Sequence, residues 1–106
     1  LSSASRFVRA AFVRNNAVSS QDECSSISQF FHMLDYVAQP RGIAEVALGE
    51  FECTRYSSCC NASKGIYYYT SYENRQITAV DMHRCDLDSN ALISFPFQGQ
   101  LNIRYM

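Results

Sequence analysis

No apolar run in the sequence exceeds a few residues, so nothing reads as a membrane-spanning helix, and no charged-then-apolar leader opens the chain. Positive charge is not in excess either. Nine basic and ten acidic side chains leave a formal net charge of -1, and without a basic field no binding to a nucleic-acid backbone is expected. Cysteine pairs of the C-x-x-C type are also missing. The five cysteines are an odd number with no paired spacing, which leaves one over from any disulfide framework. The thiols are therefore read as reduced and the compartment as cytoplasmic. His32 and His83 stand far apart and offer no ligand spacing, so no metal is expected. The loose acidic set Asp81, Asp86 and Asp88 lacks the glycine and closing glutamate of a calcium loop.

What is present suits one globular domain. The 106 residues are 47% apolar and 18% charged, enough for an adequate core but not a large one. The first residue is Leu1 rather than Met, which is read as processing or as a start inside a longer protein. Asn61-Ala62-Ser63 matches a glycosylation sequon, a pattern that matters only in a secreted chain.

The order of elements is legible from periodicity. In "SSASRFVRAAFV", Ser2 and Ser3 are candidate N-caps, and the pairs Phe7/Ala11 and Val8/Phe12 predict a helix ending near Asn15-Asn16. A second helix is predicted from Ser20 and Glu23 at capping-box spacing, followed by the apolar stripe Ile27, Phe30, Phe31, Leu34 and Val37. Pro40-Arg41-Gly42 ends it. The second half reads as strands: "FECTRYSSCC", a turn at "NASKG" with Gly65 free to take a positive φ, "IYYYTSY", a turn at "ENRQ", and "ITAVDM". Short turns imply an antiparallel meander. "ALISFPF" and "LNIRYM" are expected to be short edge strands, the first limited by Pro96. The fold class is thus α+β, two helices followed by a meander. Alternation places Phe51, the tyrosines and the cysteines on a sheet face too apolar for solvent, so a second layer is expected against it.

Adjacent strand residues point to opposite faces, so Cys59 and Cys60 do not converge on one ion, and no basic neighbor lowers either thiol's pKa. They read as small strand-packing hydrophobes. Tyr67-Tyr68-Tyr69 is either strand packing or a stacking platform for a flat ligand. His32 reads as a partly exposed helix residue and His83 as a surface loop residue. Arg6 stands apart. It lies near the first turn of a helix, where the macrodipole disfavors a cation, so it calls for a partner, either a carboxylate or an anionic transition state.

The segments "SSASRFVRAAF", "SISQFFHMLDYVAQPRG", "TRYSSCCNASKGIYYYTSYENRQITAVDM" and "ALISFPF", in this order and over nearly the whole chain, resemble the C-terminal part of the choloylglycine hydrolase family, which comprises bile salt hydrolases and penicillin V acylases. The resemblance implies that residues 1–106 are the C-terminal portion of a single Ntn-hydrolase domain, an αββα sandwich. It implies cleavage of a linear amide, the glycine or taurine conjugate of a bile acid or the side chain of penicillin V. In that chemistry an N-terminal cysteine attacks the carbonyl, its own α-amino group is the base, and backbone and asparagine donors hold the oxyanion.

The resemblance implies a nucleophile that falls outside this chain. Of the family's catalytic set, the arginine of the "SSxSRF" motif maps to Arg6, with an electrostatic role toward the reactive thiolate and the developing charge. Ser2 could act as a nucleophile only after loss of Leu1, and that role is not assigned to it. The resemblance calls for no cofactor and implies a small-molecule amide substrate, no membrane partner and a homotetramer. By itself the chain is expected to be inactive. The alternative from another class is a noncatalytic binding module that uses the tyrosine-rich face.

Overall fold

The computed structural model describes residues 2–106. They form two compact units, the first ending at Thr54 and the second running Arg55–Met106.

In the first unit, α1 spans Ser3–Asn16 and α2 spans Glu23–Asp35. Ser2 caps α1, its hydroxyl oxygen accepting from the Ser5 N–H at 3.1 Å. At the other end the Asn16 side chain turns back to donate to the Phe12 carbonyl at 2.8 Å, and Ala17 N–H closes the last turn on the Val13 carbonyl at 2.8 Å. The cap of α2 is a correction to the sequence reading. Asp22, not Ser20, holds it, with its carboxylate accepting from Ser25 N–H at 2.9 Å. A carboxylate makes the stronger, charge-assisted bond and meets the positive end of the helix dipole. The Ser20 carbonyl instead accepts from the Ser26 hydroxyl at 2.6 Å.

The stripe on α2 holds in part through Leu34, with Phe31 buried and Ile27 and Leu34 half-buried, whereas Phe30 is exposed. Val37 lies beyond the helix, because the last turn tightens: Tyr36 N–H donates to Met33 at 3.2 Å and Val37 N–H to Leu34 at 3.0 Å. On α1 the apolar pairs point elsewhere. Val13 is the buried residue, whereas Phe7, Val8 and Phe12 are 74%, 65% and 65% exposed. The periodicity of α1 thus marks a face that this unit leaves open.

A hairpin that the periodicity did not signal closes the unit. β1 (Ala44–Ala47) pairs antiparallel with β2 (Glu50–Glu52), Ala44 opposite Glu52, with a register shift between Glu45 and Ala47. Gly49 takes φ +75° in the turn. Its glutamates and alanines give little strand signal. The single strand read over "FECTRYSSCC" is two elements in different sheets, so Phe51 does not share a face with the tyrosines. The break has a cause: Gln39 and Thr54 hold each other, with Gln39 N–H donating to Thr54 Oγ1 at 2.8 Å and Thr54 N–H to the Gln39 carbonyl at 3.0 Å.

The second unit is the expected meander, β3 (Tyr56–Asn61), β4 (Ile66–Ser71) and β5 (Thr78–Asp81) in that spatial order. Ser58 faces Tyr69 and Cys59 faces Tyr68 across the first pair, and Tyr69 faces Thr78 across the second. Gly65 takes φ +68° and its N–H closes the first turn on the Asn61 carbonyl at 2.8 Å. A short 3-10 turn, Met82–Arg84, follows β5. The predicted strands "ALISFPF" and "LNIRYM" are not strands, and residues 91–106 carry no helix or ladder. Pro96 has no N–H to offer a ladder, and the neighboring Gln98 N–H goes to a tyrosine hydroxyl instead. The chain is α+β, and among the described residues no helix is long and apolar enough to cross a membrane.

Candidate functional site

Arg6 is half-buried on α1, and it reaches a backbone carbonyl rather than a carboxylate. Nε donates to the Val37 carbonyl at 3.0 Å. One turn further along, Arg9 Nη1 donates to the neighboring Tyr36 carbonyl at 3.3 Å. Residues three apart share a helix face, so both cations meet the end of α2 together. That end carries the negative pole of the α2 dipole and carbonyls without intrahelical donors. The cation that the start of α1 disfavors is thus compensated by the end of α2. A guanidinium has five N–H donors, and the bond to Val37 uses one of them.

The segment that presents Val37 is held on its far side as well. Two residues on, Gln39 is locked by the reciprocal pair of bonds to Thr54. Sequence reasoning assigned no role to Arg9 or Thr54. The i, i+3 spacing of Arg6 and Arg9 was visible, but the carbonyls that they meet lie 31 and 27 residues away.

The other candidates do not converge. Ser2 is engaged as a cap, its hydroxyl also donating to Ser5 Oγ at 2.9 Å. All five cysteines are free thiols. Cys59 is half-buried and Cys60 exposed, on opposite faces of β3. Burial pushes the Cys59 thiol up, and Cys60 beside it adds to the shift, so neither feature makes a ready nucleophile of it. Among the described residues no three histidine, cysteine or acidic side chains gather as a metal site would require. Asp81 and Asp86 turn to local backbone, accepting from His83 N–H at 2.9 Å and Asp88 N–H at 3.2 Å. His32 is exposed on α2 and His83 exposed in the 3-10 turn.

The tyrosines split by face. Tyr67 and Tyr69 share one side of β4 with Val80 and Thr78 of β5, and Tyr68 takes the other. Phe95, Pro96 and Phe97 lie along the first side and make with it an aromatic cleft of about 480 Å3. Tyr69 is its buried floor. Its ring stacks on Phe97 at 5.4 Å between centroids, and its hydroxyl accepts from Gln98 N–H at 2.9 Å. Asn74, also buried, donates from Nδ2 to the Gln98 carbonyl at 3.1 Å. The sequence showed "ENRQ" as a turn but not this second grip on the chain.

Residues 1–95 match the family described as linear amide C–N hydrolases, choloylglycine hydrolase family. The chain is 51% identical over 100 residues to a bile salt hydrolase/transferase of Lactiplantibacillus plantarum, covering 94% of this chain and 31% of that protein. It is 38% identical over 103 residues to the bile salt hydrolase/transferase of Clostridium perfringens, covering 97% and 31%. A crystal structure of a mutant conjugated bile acid hydrolase from Clostridium perfringens superposes with a TM-score of 0.85 at 39% identity, over 98% of this chain and 32% of that one. The penicillin V acylase of Agrobacterium tumefaciens gives 0.68 at 25% identity, over 84% and 28%. The fold is therefore that of the Ntn-hydrolases, and the chain spans about a third of the length of the curated relatives that it matches.

Proposed function

The chain belongs to the choloylglycine hydrolase family of linear amide C–N hydrolases, and on that premise we propose that residues 1–106 are the C-terminal portion of one αββα domain that hydrolyzes the amide of glycine- or taurine-conjugated bile acids. The reading rests above all on the match over residues 1–95 together with the bile salt hydrolase relatives. In the proposed chemistry an N-terminal cysteine, supplied by the rest of the domain, adds to the amide carbonyl, and its α-amino group manages the proton. Arg6 is the catalytic group that this chain contributes. Its permanent positive charge favors the thiolate and the negative charge that develops as the carbonyl is attacked. A half-buried cation with one N–H fixed on Val37 is a preorganized charge, and such a charge stabilizes a transition state without reorganizing at the moment of reaction.

The substrate is a small-molecule amide, the complete enzyme is a homotetramer, and the compartment is the cytoplasm, a reading supported by five free thiols. The structural likeness to a penicillin V acylase supports a second substrate, the phenoxyacetyl amide of penicillin V.

Release of glycine or taurine from conjugated bile acids, against release of phenoxyacetate from penicillin V, decides between the substrates. In the complete enzyme, Arg6→Ala is expected to lower kcat at least about a hundredfold, the scale of losing a preorganized charge, while the protein stays folded. Full activity of that variant refutes the role of Arg6. The chain on its own is expected to turn over neither substrate, and appreciable turnover by pure chain refutes the assignment of the nucleophile elsewhere.

A further inference from the structure

The end of α2 is held from two directions around a single carbonyl. On one side Arg9 Nη1 reaches the Tyr36 carbonyl at 3.3 Å. On the other, Gln39 is locked to Thr54 by bonds of 2.8 and 3.0 Å that run in both directions. Between them lies Val37, whose carbonyl takes Arg6 Nε at 3.0 Å. Tyr36 and Val37 N–H still close a tightened last turn on Met33 and Leu34. The α-helix ends at Asp35 and helical dihedrals reach only to Tyr36, so the chain that carries the Val37 carbonyl on to Gln39 leaves the helical path. Gln39 also precedes Pro40, and a residue before proline is pushed to extended backbone. The orientation of the Val37 carbonyl therefore depends on its flanking anchors. A guanidinium is a planar fork, and fixing Nε fixes the direction in which the rest of the fork points.

We propose that Thr54 and Arg9 are positioning residues, which set the direction of the Arg6 guanidinium through the Tyr36–Gln39 segment. Thr54 acts through its hydroxyl oxygen, the acceptor for Gln39 N–H. Arg9 acts through the carbonyl next to the one that Arg6 uses. The proposal rests on the reading of Arg6 as the catalytic cation, and its test separates the two.

The measurement is a double-mutant cycle on bile-salt hydrolysis by the complete enzyme, with circular dichroism to show that each variant is folded at the assay temperature. Thr54→Val keeps the shape and removes the acceptor. It is expected to lower kcat about tenfold or more with KM within about twofold, the pattern of a misaimed catalytic group rather than lost substrate binding. Thr54→Ser restores the oxygen and is expected to return kcat to within about threefold of the parent. Arg9→Gln, at an exposed position, is expected to move kcat in the same direction and carries the test if Thr54→Val does not fold. In an Arg6→Ala background neither substitution should lower kcat further, because the group that they aim is gone. Equal losses in both backgrounds, or a rise in KM with kcat unchanged, overturn the positioning roles while leaving the role of Arg6 standing. Full activity of Arg6→Ala overturns the catalytic reading and with it this proposal.

Discussion

The hydroxyl of Tyr69, in the middle of β4, accepts a hydrogen bond from the backbone N–H of Gln98 at 2.9 Å, 29 residues further along the chain. The irregular segment after the 3-10 turn is thereby tied to the sheet without being a strand. Asn74 holds the other side of the same residue, donating to the Gln98 carbonyl, while its own Oδ1 accepts from Gln76 N–H at 3.0 Å.

Removing either grip should loosen the aromatic cleft. Asn74→Ala, at a position only 6% exposed, deletes bonds to both Gln98 and Gln76 and is expected to cost about 2 kcal/mol in denaturant unfolding. Tyr69→Phe keeps the stack on Phe97 and loses only the acceptor, so about 1 kcal/mol is expected, with faster hydrogen exchange at the Gln98 amide. No change in exchange for Tyr69→Phe would show that the hydroxyl does not hold the segment.

Gly65 is placed to resist any side chain. Its φ of +68° is strained for other residues, and an added Cβ would lie 2.6 Å from Met82 Sδ. Gly65→Ala is expected to destabilize by about 1–2 kcal/mol, part backbone strain and part contact with Met82. Because the methionine is flexible, Gly65→Ala combined with Met82→Ala should recover the contact part and leave about 1 kcal/mol of strain. A neutral Gly65→Ala would contradict the turn geometry.

Cys59 and Cys60 should differ in reactivity although they are adjacent. Burial raises the pKa of the Cys59 thiol and the ring of Tyr68 stands opposite it, while Cys60 is exposed. Thiolate, not thiol, is the reactive form, so alkylation at neutral pH is expected to mark Cys60 ahead of Cys59 by mass spectrometry. Labeling of Cys59 at the same rate would remove the distinction.

Asp22 predicts an acid limit for α2. Bonds from the Ser25 backbone and hydroxyl hold its carboxyl below the ordinary aspartate value. A carboxyl lowered on folding contributes stability above its unfolded pKa and loses it as pH falls through the folded one. Fraying at the start of α2 is therefore expected below about pH 4, seen as faster amide exchange at Ser25. Asp22→Asn still accepts the bond but cannot titrate, so exchange at Ser25 should lose that pH dependence.

Much of the fold was written in local pattern. Ser2 as a cap, the meander from Tyr56 to Asp81 and the positive φ of Gly65 follow from spacing and turn chemistry, because each depends on neighbors a few residues away. The long motifs around "TRYSSCCN" and "SSASRF" carried the family, and with it the choice of Arg6. The tertiary structure decided what those residues touch. Periodicity marked Phe7, Val8 and Phe12 as apolar but could not say that they turn away from α2, and alternation ran one strand through Thr54 where Gln39 breaks it in two. Arg6 was legible as a cation in an unfavorable place, whereas the carbonyl that steadies it lies 31 residues off at the end of another helix. A local pattern records the preference of a side chain, and only packing brings the distant backbone group that satisfies it.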